Sequence, residues 1–295
     1  MKSNILCIVG PTATGKSEIA IELALKQDAE ILNCDARQIY KRLNIGTNKI
    51  KLCEQKGIPH WGIDIIEPYE NFTAKDYEGY ALNKIQDIEQ RGKKIIICGG
   101  TGLYLKVLEQ GLDEIPVVPK EIRQELYSQW QEQGLEPLVQ ELKRKDFITY
   151  STIDIKNPRR VLRALEVIRA TQVPFSNFKK QTKKERDFSL QKVGILWQRS
   201  ALYERINARV LKMLEEGLVQ EVQMLLDSGL HESMQSLQTI GYKEVILYLK
   251  GIYSYNQMVE KIQQNTRHYA KRQLTWFRKD TSIQWLTPKE VLIHF

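Results

Sequence analysis

The sequence predicts an α/β protein built on a phosphate-loop (P-loop) parallel sheet, with helices on both faces of the sheet and a helical insertion domain. Apolar runs of strand length alternate with amphipathic helical segments over roughly the first 110 residues, which is the pattern of βαβ units. A phosphate-binding sequence follows the first apolar run. From Pro116 onward only helical spacing is found until an apolar run resumes at Val193.

The first part of the chain is predicted to contain four strands. Each is a short apolar run that ends at glycine, proline or a polar residue, and they cover residues 5–9, 30–33, 62–66 and 94–98. A helix is predicted over 18–26, and a longer one begins at Thr73 and closes at Gly92. The uninterrupted apolar run 94–98 is typical of a parallel strand covered on both faces.

The remainder of the chain is predicted to be mainly helical, with one further strand over 193–197. Helices are predicted over 119–130, 135–145, 157–170, 199–216, 218–227, 242–249 and 256–278. We therefore divide the chain into a first core segment, a basic insertion and a return to the core, which cover 1–115, 116–190 and 191–295.

Composition excludes several classes of protein. The chain has no run of 18 apolar residues, and its first four residues lead directly into a strand, so we expect a cytoplasmic protein with no membrane partner. Four cysteines lie far apart with no Cys-x-x-Cys pair, which favours reduced thiols that bind no metal. They are Cys7, Cys34, Cys53 and Cys98.

The net charge of +8 is concentrated in two places. Residues 156–186 contain ten basic and two acidic residues. A second basic group, near the C-terminus, lies among aromatic residues and comprises Arg267, Lys271, Arg272, Arg278 and Lys279. Clustered cations with aromatic rings favour single-stranded or looped nucleic acid, and a solvated helix face is the alternative.

Residues Gly10–Ser17 match the phosphate-loop template G-x-x-x-x-G-K-[ST] between a strand and a helix. Backbone N–H groups of such a loop converge on phosphate oxygens, Lys16 adds a positive charge, and the Ser17 hydroxyl is placed to bind Mg²⁺. The loop predicts binding of a diphosphate or triphosphate.

Ligands of open parallel sheets bind at the carboxyl ends of the strands, which directs attention to two further loops, 35–40 and 99–104. Asp35 suits a general base, or alternatively a turn carboxylate. The run 94–98 ends in glycine and threonine, whereas a phosphate-loop hydrolase normally carries Asp or Glu there. This favours a kinase, or a transferase for which diphosphate is the leaving group.

An ordered set of motifs spans nearly the entire chain and resembles the tRNA dimethylallyltransferase family, in its bacterial form without a zinc finger. The motifs cover residues 10–17, 35–40, 44–49, 99–104, 157–167, 239–244 and 266–277. The resemblance implies transfer of a dimethylallyl group from dimethylallyl diphosphate to N6 of the adenosine 3′-adjacent to the anticodon in tRNA, with release of diphosphate.

The resemblance also implies roles for individual residues. Asp35 would be the base, Thr101 would hydrogen-bond the adenine amine, and Mg²⁺ near Ser17 would be the cofactor. The diphosphate would be bound by Gly10, Pro11, Thr12, Ala13, Thr14, Gly15, Lys16, Ser17 and Arg209. The anticodon stem-loop would be contacted by Asp35, Ala36, Arg37, Gln38, Thr101, Arg123, Arg159, Arg160, Val161, Leu162 and Arg163.

Val161 and Leu162 suit a helix core equally well. Ala36 departs from the family, which commonly has Ser after the catalytic Asp, so a hydroxyl contact is missing here. The resemblance further implies a monomer.

Three other functions use part of the same sequence. A small-molecule or nucleotide kinase would use the phosphate loop and Asp35 but would not need the basic insertion. An isopentenyltransferase acting on free AMP would keep the chemistry without the RNA-binding surface. A non-enzymatic RNA-binding protein would leave the phosphate loop unexplained.

Overall fold

The computed structural model describes residues 2–179 and 183–295. Their central element is a six-stranded, all-parallel sheet with strand order β3-β2-β4-β1-β5-β6. The strands are β1 Ser3–Val9, β2 Ala29–Asn33, β3 His60–Trp61, β4 Lys94–Gly99, β5 Phe188–Ile195 and β6 Gln284–Leu286. The predicted α/β fold class is confirmed.

Twelve α-helices accompany the sheet in the same described residues. They are α1 Lys16–Gln27, α2 Ala74–Gln90, α3 Gly102–Gln110, α4 Lys120–Gln133, α5 Glu136–Lys145, α6 Phe147–Thr152, α7 Pro158–Thr171, α8 Arg199–Glu215, α9 Leu218–Asp227, α10 Tyr242–Leu249, α11 Tyr255–Phe277 and α12 Pro288–His294. No helix among these combines the length and the apolar character needed to cross a bilayer.

Helices cover both faces of the sheet because successive apolar side chains of the central strand β1 point to opposite faces. Cys7 and Val9 pack on the face covered by α2 and α3. Leu6 and Ile8 pack on the opposite face, which α1 covers together with Val291 of α12. A strand buried on both sides needs apolar residues at successive positions, as Ile5–Val9 of β1 provide.

The register of the strands places the loops that carry the predicted site residues at one edge of the sheet. Val9 of β1 lies opposite Gly99 of β4, and Asn33 of β2 lies opposite Cys98 of β4. All three strands run in the same direction, so the segments that follow them emerge side by side. These segments are the phosphate loop (residues 10–17), the Asp35 loop (34–40) and the Thr101 loop (100–104).

The strand predicted over 62–66 is wrong. The strand observed here is His60–Trp61, because the chain leaves extended geometry at Gly62 and Asp64, where φ is +82° and +54°. Ile66 instead forms an isolated bridge with Tyr40. Strand β5 also begins earlier and ends earlier than the predicted 193–197.

The chain forms two compact units. The first comprises residues 1–109 and 185–295, and the second comprises Gln110–Lys184. The second unit begins and ends a few residues before the predicted 116 and 190, because it starts where α3 ends, at Gln110, and stops ahead of β5, which begins at Phe188.

The second unit is a helical bundle with its own apolar core. Helices α4, α5 and α7 supply most of this core, including Leu126, Leu142 and Leu165, all of which are inaccessible to solvent. Asp146 caps α6 by accepting a hydrogen bond from the Thr149 N–H at 2.9 Å. Lys180, one of the ten basic residues in the segment 156–186, lies outside the described residues.

A buried carboxylate on β2 gives a pH-dependent contribution to stability. Glu30 is 4% exposed, and its Oε2 accepts hydrogen bonds from Trp61 Nε1 at 2.6 Å and from Arg91 at 2.9 Å. The hydrogen bond from Arg91 is the main reason that the pKa of Glu30 is lowered. The contribution to stability is therefore complete above the unfolded-state pKa of about 4.3 and is lost as the pH falls through the lower folded-state pKa.

We expect Glu30→Gln to reduce the free energy of unfolding at neutral pH by about 1–2 kcal/mol, a value discounted because Arg91 is partly exposed and water screens the pair. The difference from wild type should shrink as the pH falls below about 4. Urea unfolding at neutral pH and at a pH below about 4 measures this difference in the free energy of unfolding. Glu22→Gln, on the exposed side of α1, is the control. A difference that persists unchanged in acid would contradict the assignment.

Candidate active site

The phosphate loop is folded tightly around its own backbone. Gly15, immediately before α1, has φ +85°, a left-handed conformation that favours glycine. Ala13 also has a positive φ, +66°, and its side chain is buried. Lys16 Nζ donates a hydrogen bond to the Pro11 carbonyl oxygen at 2.6 Å, and the Thr14 hydroxyl donates to the same oxygen at 2.9 Å. The lysine thus lies folded over the loop at the N-terminus of α1.

Side chains from α8 and the segment before it support the loop from outside. Trp197 Nε1 donates to the Thr14 carbonyl at 3.0 Å, and Arg205 Nε donates to the Ala13 carbonyl at 2.8 Å. The Arg205 guanidinium also lies over the Trp197 ring, 4.5 Å from its centroid. Arg209 donates to the Thr12 hydroxyl at 3.0 Å. The structure therefore brings Arg209 to the phosphate loop, from a position almost 200 residues later in the chain.

The cations of this site are poorly solvated. Burial lowers the pKa of Lys16 to about 8, and burial also lowers the pKa of Arg209. The charged form of a cation whose pKa is lowered by burial is stabilised when an anion binds in place of the missing water. The combination of Lys16, Arg209 and the N-terminus of α1 suits a multiply charged anion, and its binding there stays a prediction.

The Asp35 loop and the Thr101 loop are hydrogen-bonded to each other. The Ala36 N–H donates to Thr101 Oγ1 at 2.9 Å, and the Thr101 N–H donates to the Cys34 carbonyl at 3.1 Å. Asp35 Oδ1 accepts from the Arg37 N–H at 2.8 Å. The two residues predicted to act on the acceptor, Asp35 and Thr101, are therefore adjacent. This hydrogen bond uses the backbone N–H of Ala36 and does not depend on its side chain, whereas the loss of a hydroxyl contact through Ala36 stays a prediction.

Helix α11 brings two further residues, Tyr269 and Gln273, to this site, and the sequence alone predicted no catalytic or binding role for either. Tyr269 lies near Asp35, and its pKa is raised by burial and by the negative charge of that carboxylate. Gln273, one turn later, accepts from the Thr12 N–H at 2.9 Å and donates to the Gly100 carbonyl at 2.8 Å. The sequence could have indicated a role for Gln273, because this polar residue falls between Ala270 and Phe277 on the apolar face of the helix.

The other residues predicted in the Asp35 loop are held by backbone oxygens. Arg37 donates to the Gln235 carbonyl at 3.1 Å. Gln38 Nε2 donates to the carbonyls of Thr47 and Asn48 at 3.2 and 3.0 Å. Their contact with tRNA stays a prediction.

The remaining predicted tRNA contacts lie in the second unit, on α7 and α4. Arg159 and Arg160 are exposed near the N-terminus of α7. Arg163 and Arg123 both pair with the carboxylate of Glu166, at 3.1 and 3.3 Å. Val161 is completely buried and Leu162 packs against the same core, so the core alternative describes both side chains in this structure.

Among the described residues no group of three or more His, Cys, Asp or Glu side chains could hold an ion. Ser17, the second residue of α1, is exposed beside the phosphate loop. A magnesium ion here would need the oxygens of its phosphate ligand and water to complete its shell, which is how Mg²⁺ usually binds with phosphates.

Comparison with known proteins identifies the family of this chain. The sequence profile described as IPP transferase matches residues 38–280. A tRNA dimethylallyltransferase from Cytophaga hutchinsonii is 40% identical over 97% of this chain and 93% of its own length. The tRNA dimethylallyltransferase 1 of Trichlorobacter lovleyi is 43% identical over 98% of this chain and 95% of its own length.

Solved structures give the same result. The full-length tRNA isopentenylpyrophosphate transferase of Bacillus halodurans is 35% identical with a TM-score of 0.72, covering 99% of this chain and 94% of that protein. A eukaryotic dimethylallyltransferase captured acting on tRNA is 28% identical with a TM-score of 0.81, covering 97% of this chain and 74% of that protein. Profile, relatives and structures coincide over nearly the whole chain, which therefore belongs to the IPP transferase family of tRNA dimethylallyltransferases.

Proposed function

We propose that the chain transfers a dimethylallyl group from dimethylallyl diphosphate to N6 of the adenosine 3′-adjacent to the anticodon in tRNA, and releases diphosphate. One observation carries the proposal together with family membership. The phosphate loop lies at the same edge of the sheet as the linked Asp35 and Thr101 loops, so an anionic leaving group and a proton acceptor are combined in one site.

The phosphate loop stabilises the leaving group in this proposal. As the allylic C–O bond breaks, negative charge accumulates on the diphosphate and positive charge on the carbon. Lys16, Arg209 and the backbone N–H groups of the loop face that negative charge, and the incompletely solvated cations interact with it strongly. Binding requires Lys16 to exchange its hydrogen bond with the Pro11 carbonyl for one with a phosphate oxygen.

We propose that Mg²⁺ accompanies the diphosphate and that the Ser17 hydroxyl holds it. The exposed position of Ser17 at the start of α1 fits a metal that keeps most of its ligands as phosphate oxygens and water. When bound, the ion neutralises part of the charge on the leaving group.

Asp35 receives the proton in this reaction. The N6 lone pair of adenine is delocalised into the ring, so the amine must lose a proton as the new C–N bond forms. Oδ1 of Asp35 is fixed by the Arg37 N–H, and Oδ2 accepts no hydrogen bond from any residue described, which leaves it available as a base. Thr101, fixed by the Ala36 N–H, orients the amine.

The second unit supplies affinity for tRNA in this proposal. The exposed guanidinium groups of Arg159 and Arg160 suit contacts with RNA phosphates. Arg163 and Arg123 share Glu166, so RNA phosphates must compete with that carboxylate for them.

We expect the double variant Arg159→Gln/Arg160→Gln to weaken tRNA binding and to reduce the slope of log K against log salt concentration by about 1–2, because each lost phosphate contact removes about 0.7–0.9. Titrations of tRNA at several salt concentrations measure the slope. The control removes two cations from α5, as Lys143→Gln/Arg144→Gln. An unchanged slope in the α7 variant would place the RNA elsewhere.

The substrate is tested by incubating the protein with dimethylallyl diphosphate, Mg²⁺ and either tRNA or free AMP, followed by mass analysis of nucleosides. The proposal predicts a dimethylallyl adenosine in tRNA and unmodified AMP. Modified AMP with unmodified tRNA would refute the proposed substrate, and a phosphorylated acceptor formed from ATP would favour the kinase.

We further propose that the protein works as a monomer in the cytoplasm. Light scattering of the protein with and without tRNA tests it, with one protein chain expected in each particle.

A further inference from the structure

The side chain of Gln273 joins the two halves of the candidate active site. Its Oε1 accepts a hydrogen bond from the Thr12 N–H in the phosphate loop at 2.9 Å. Its Nε2 donates to the Gly100 carbonyl, next to Thr101, at 2.8 Å. Only 6% of the residue is exposed to solvent, so water does not compete for either bond. One amide thus connects the loop that holds phosphate with the loop that holds the acceptor.

The orientation of this amide is fixed by its partners. A backbone N–H can only donate and a carbonyl oxygen can only accept, so the side-chain oxygen must face Thr12 and the nitrogen must face Gly100. An apolar side chain of the same length would leave both backbone groups unsatisfied. Glutamate would keep the acceptor for Thr12 but would lose the donor to Gly100 when ionised.

The glycine at position 100 makes room for this contact. A Cβ atom at Gly100 would lie 2.2 Å from Gln273 Nε2, which no side chain tolerates without displacing the amide. Gln273 of helix α11 therefore holds Gly100, and with it the start of the Thr101 loop, against the phosphate loop.

We propose that Gln273 is a positioning residue that sets the distance between the diphosphate and the acceptor amine, an inference that rests on the proposed function. In that reaction the C–O bond to diphosphate breaks, the N6–carbon bond forms, and the amine proton passes to Asp35. The reacting atoms must approach to about 3–3.5 Å, and a displacement of about 1 Å costs roughly 100-fold in rate. Gln273 touches neither reactant and acts through Thr12 and Gly100.

The first test is Gln273→Met, which keeps length and removes both hydrogen bonds. We expect kcat and the single-turnover rate to fall by about 10- to 100-fold, with the dissociation constants of tRNA and dimethylallyl diphosphate within about threefold of wild type. Gln263→Met is the matched control, because Gln263 is half-buried on the same helix and bonds only weakly, to Asn207 at 3.5 Å. Wild-type kcat in Gln273→Met would overturn the proposal, as would a loss confined to substrate affinity.

A double-mutant cycle separates positioning from a general structural effect. Gly100→Ala alone is expected to lower the rate because its methyl group displaces the amide, whereas in a Gln273→Ser background the same change should cost little more. Additive losses would overturn the proposal. If Gln273→Met does not fold, Gln273→Glu decides the point in the same assay, with the same expected split between kcat and affinity. The proposed function fails separately, when wild type itself forms no dimethylallyl adenosine.

Discussion

Replacing Asp35 by Asn should lower the single-turnover rate of dimethylallyl transfer by about 10²- to 10⁴-fold, the range that general-base catalysis contributes. Asparagine keeps an oxygen that accepts the 2.8 Å hydrogen bond from the Arg37 N–H, so the loop keeps its conformation. It cannot accept the proton that the adenine amine must lose. Binding of tRNA should therefore change by no more than about threefold, because a proton acceptor is removed while the binding surface stays.

Rapid-quench measurement with enzyme in excess over tRNA tests this expectation, with tRNA affinity measured separately. Asp35→Ala should lose activity to a similar extent. Asp227→Asn, at the exposed end of α9, changes the charge equally at a distant position and serves as the control. A rate within a few fold of wild type in both Asp35 variants would remove Asp35 from the mechanism.

Replacing Lys16 by Met should reduce dimethylallyl transfer by about 10²- to 10³-fold, the loss typical of one preorganised group that stabilises developing negative charge. The lysine lies half-buried against the phosphate loop, where its pKa is lowered to about 8. In that environment a single positive charge interacts with diphosphate more strongly than it would in water. The change removes the charge but keeps a linear side chain that fits the same space.

Two measurements distinguish the role of Lys16 from that of Asp35. Affinity for dimethylallyl diphosphate should fall in Lys16→Met and stay close to wild type in Asp35→Asn. Lys26→Met, in the last turn of the same helix α1, is the control. Wild-type affinity and rate in Lys16→Met would show that the phosphate loop does not hold the leaving group.

Much of the fold was predictable because its signals are local. The phosphate loop lies between a buried strand and α1, and the capping Thr73 and closing Gly92 bound α2 almost to the residue. Short elements carry less signal, which explains why β6, of three residues, and α6, of six, were missed. The apolar run 62–66 was misassigned because the left-handed conformation of Asp64 depends on its surroundings, including the salt bridge with Lys49.

The active site was predictable only in part. Loops that follow parallel strands converge by a general rule, which brings Asp35 and Thr101 together with the phosphate loop. No such rule places α8 and α11 beside these loops. Both helices come late in the chain, at Arg199–Glu215 and Tyr255–Phe277. The resemblance to the family indicated Arg209, whereas the contacts of Arg205 and Gln273 with the phosphate loop were found only in the three-dimensional structure.

In the proposed reaction the phosphate loop holds a leaving group while the dimethylallyl group moves to the amine. Dimethylallyl diphosphate labelled separately in the allyl carbon and in the diphosphate, and incubated with tRNA and Mg²⁺ without ATP, follows both groups. We expect carbon label in one tRNA adenosine and an equal amount of free labelled diphosphate. Phosphate label on the RNA, or an absolute requirement for a nucleoside triphosphate, would contradict that reaction.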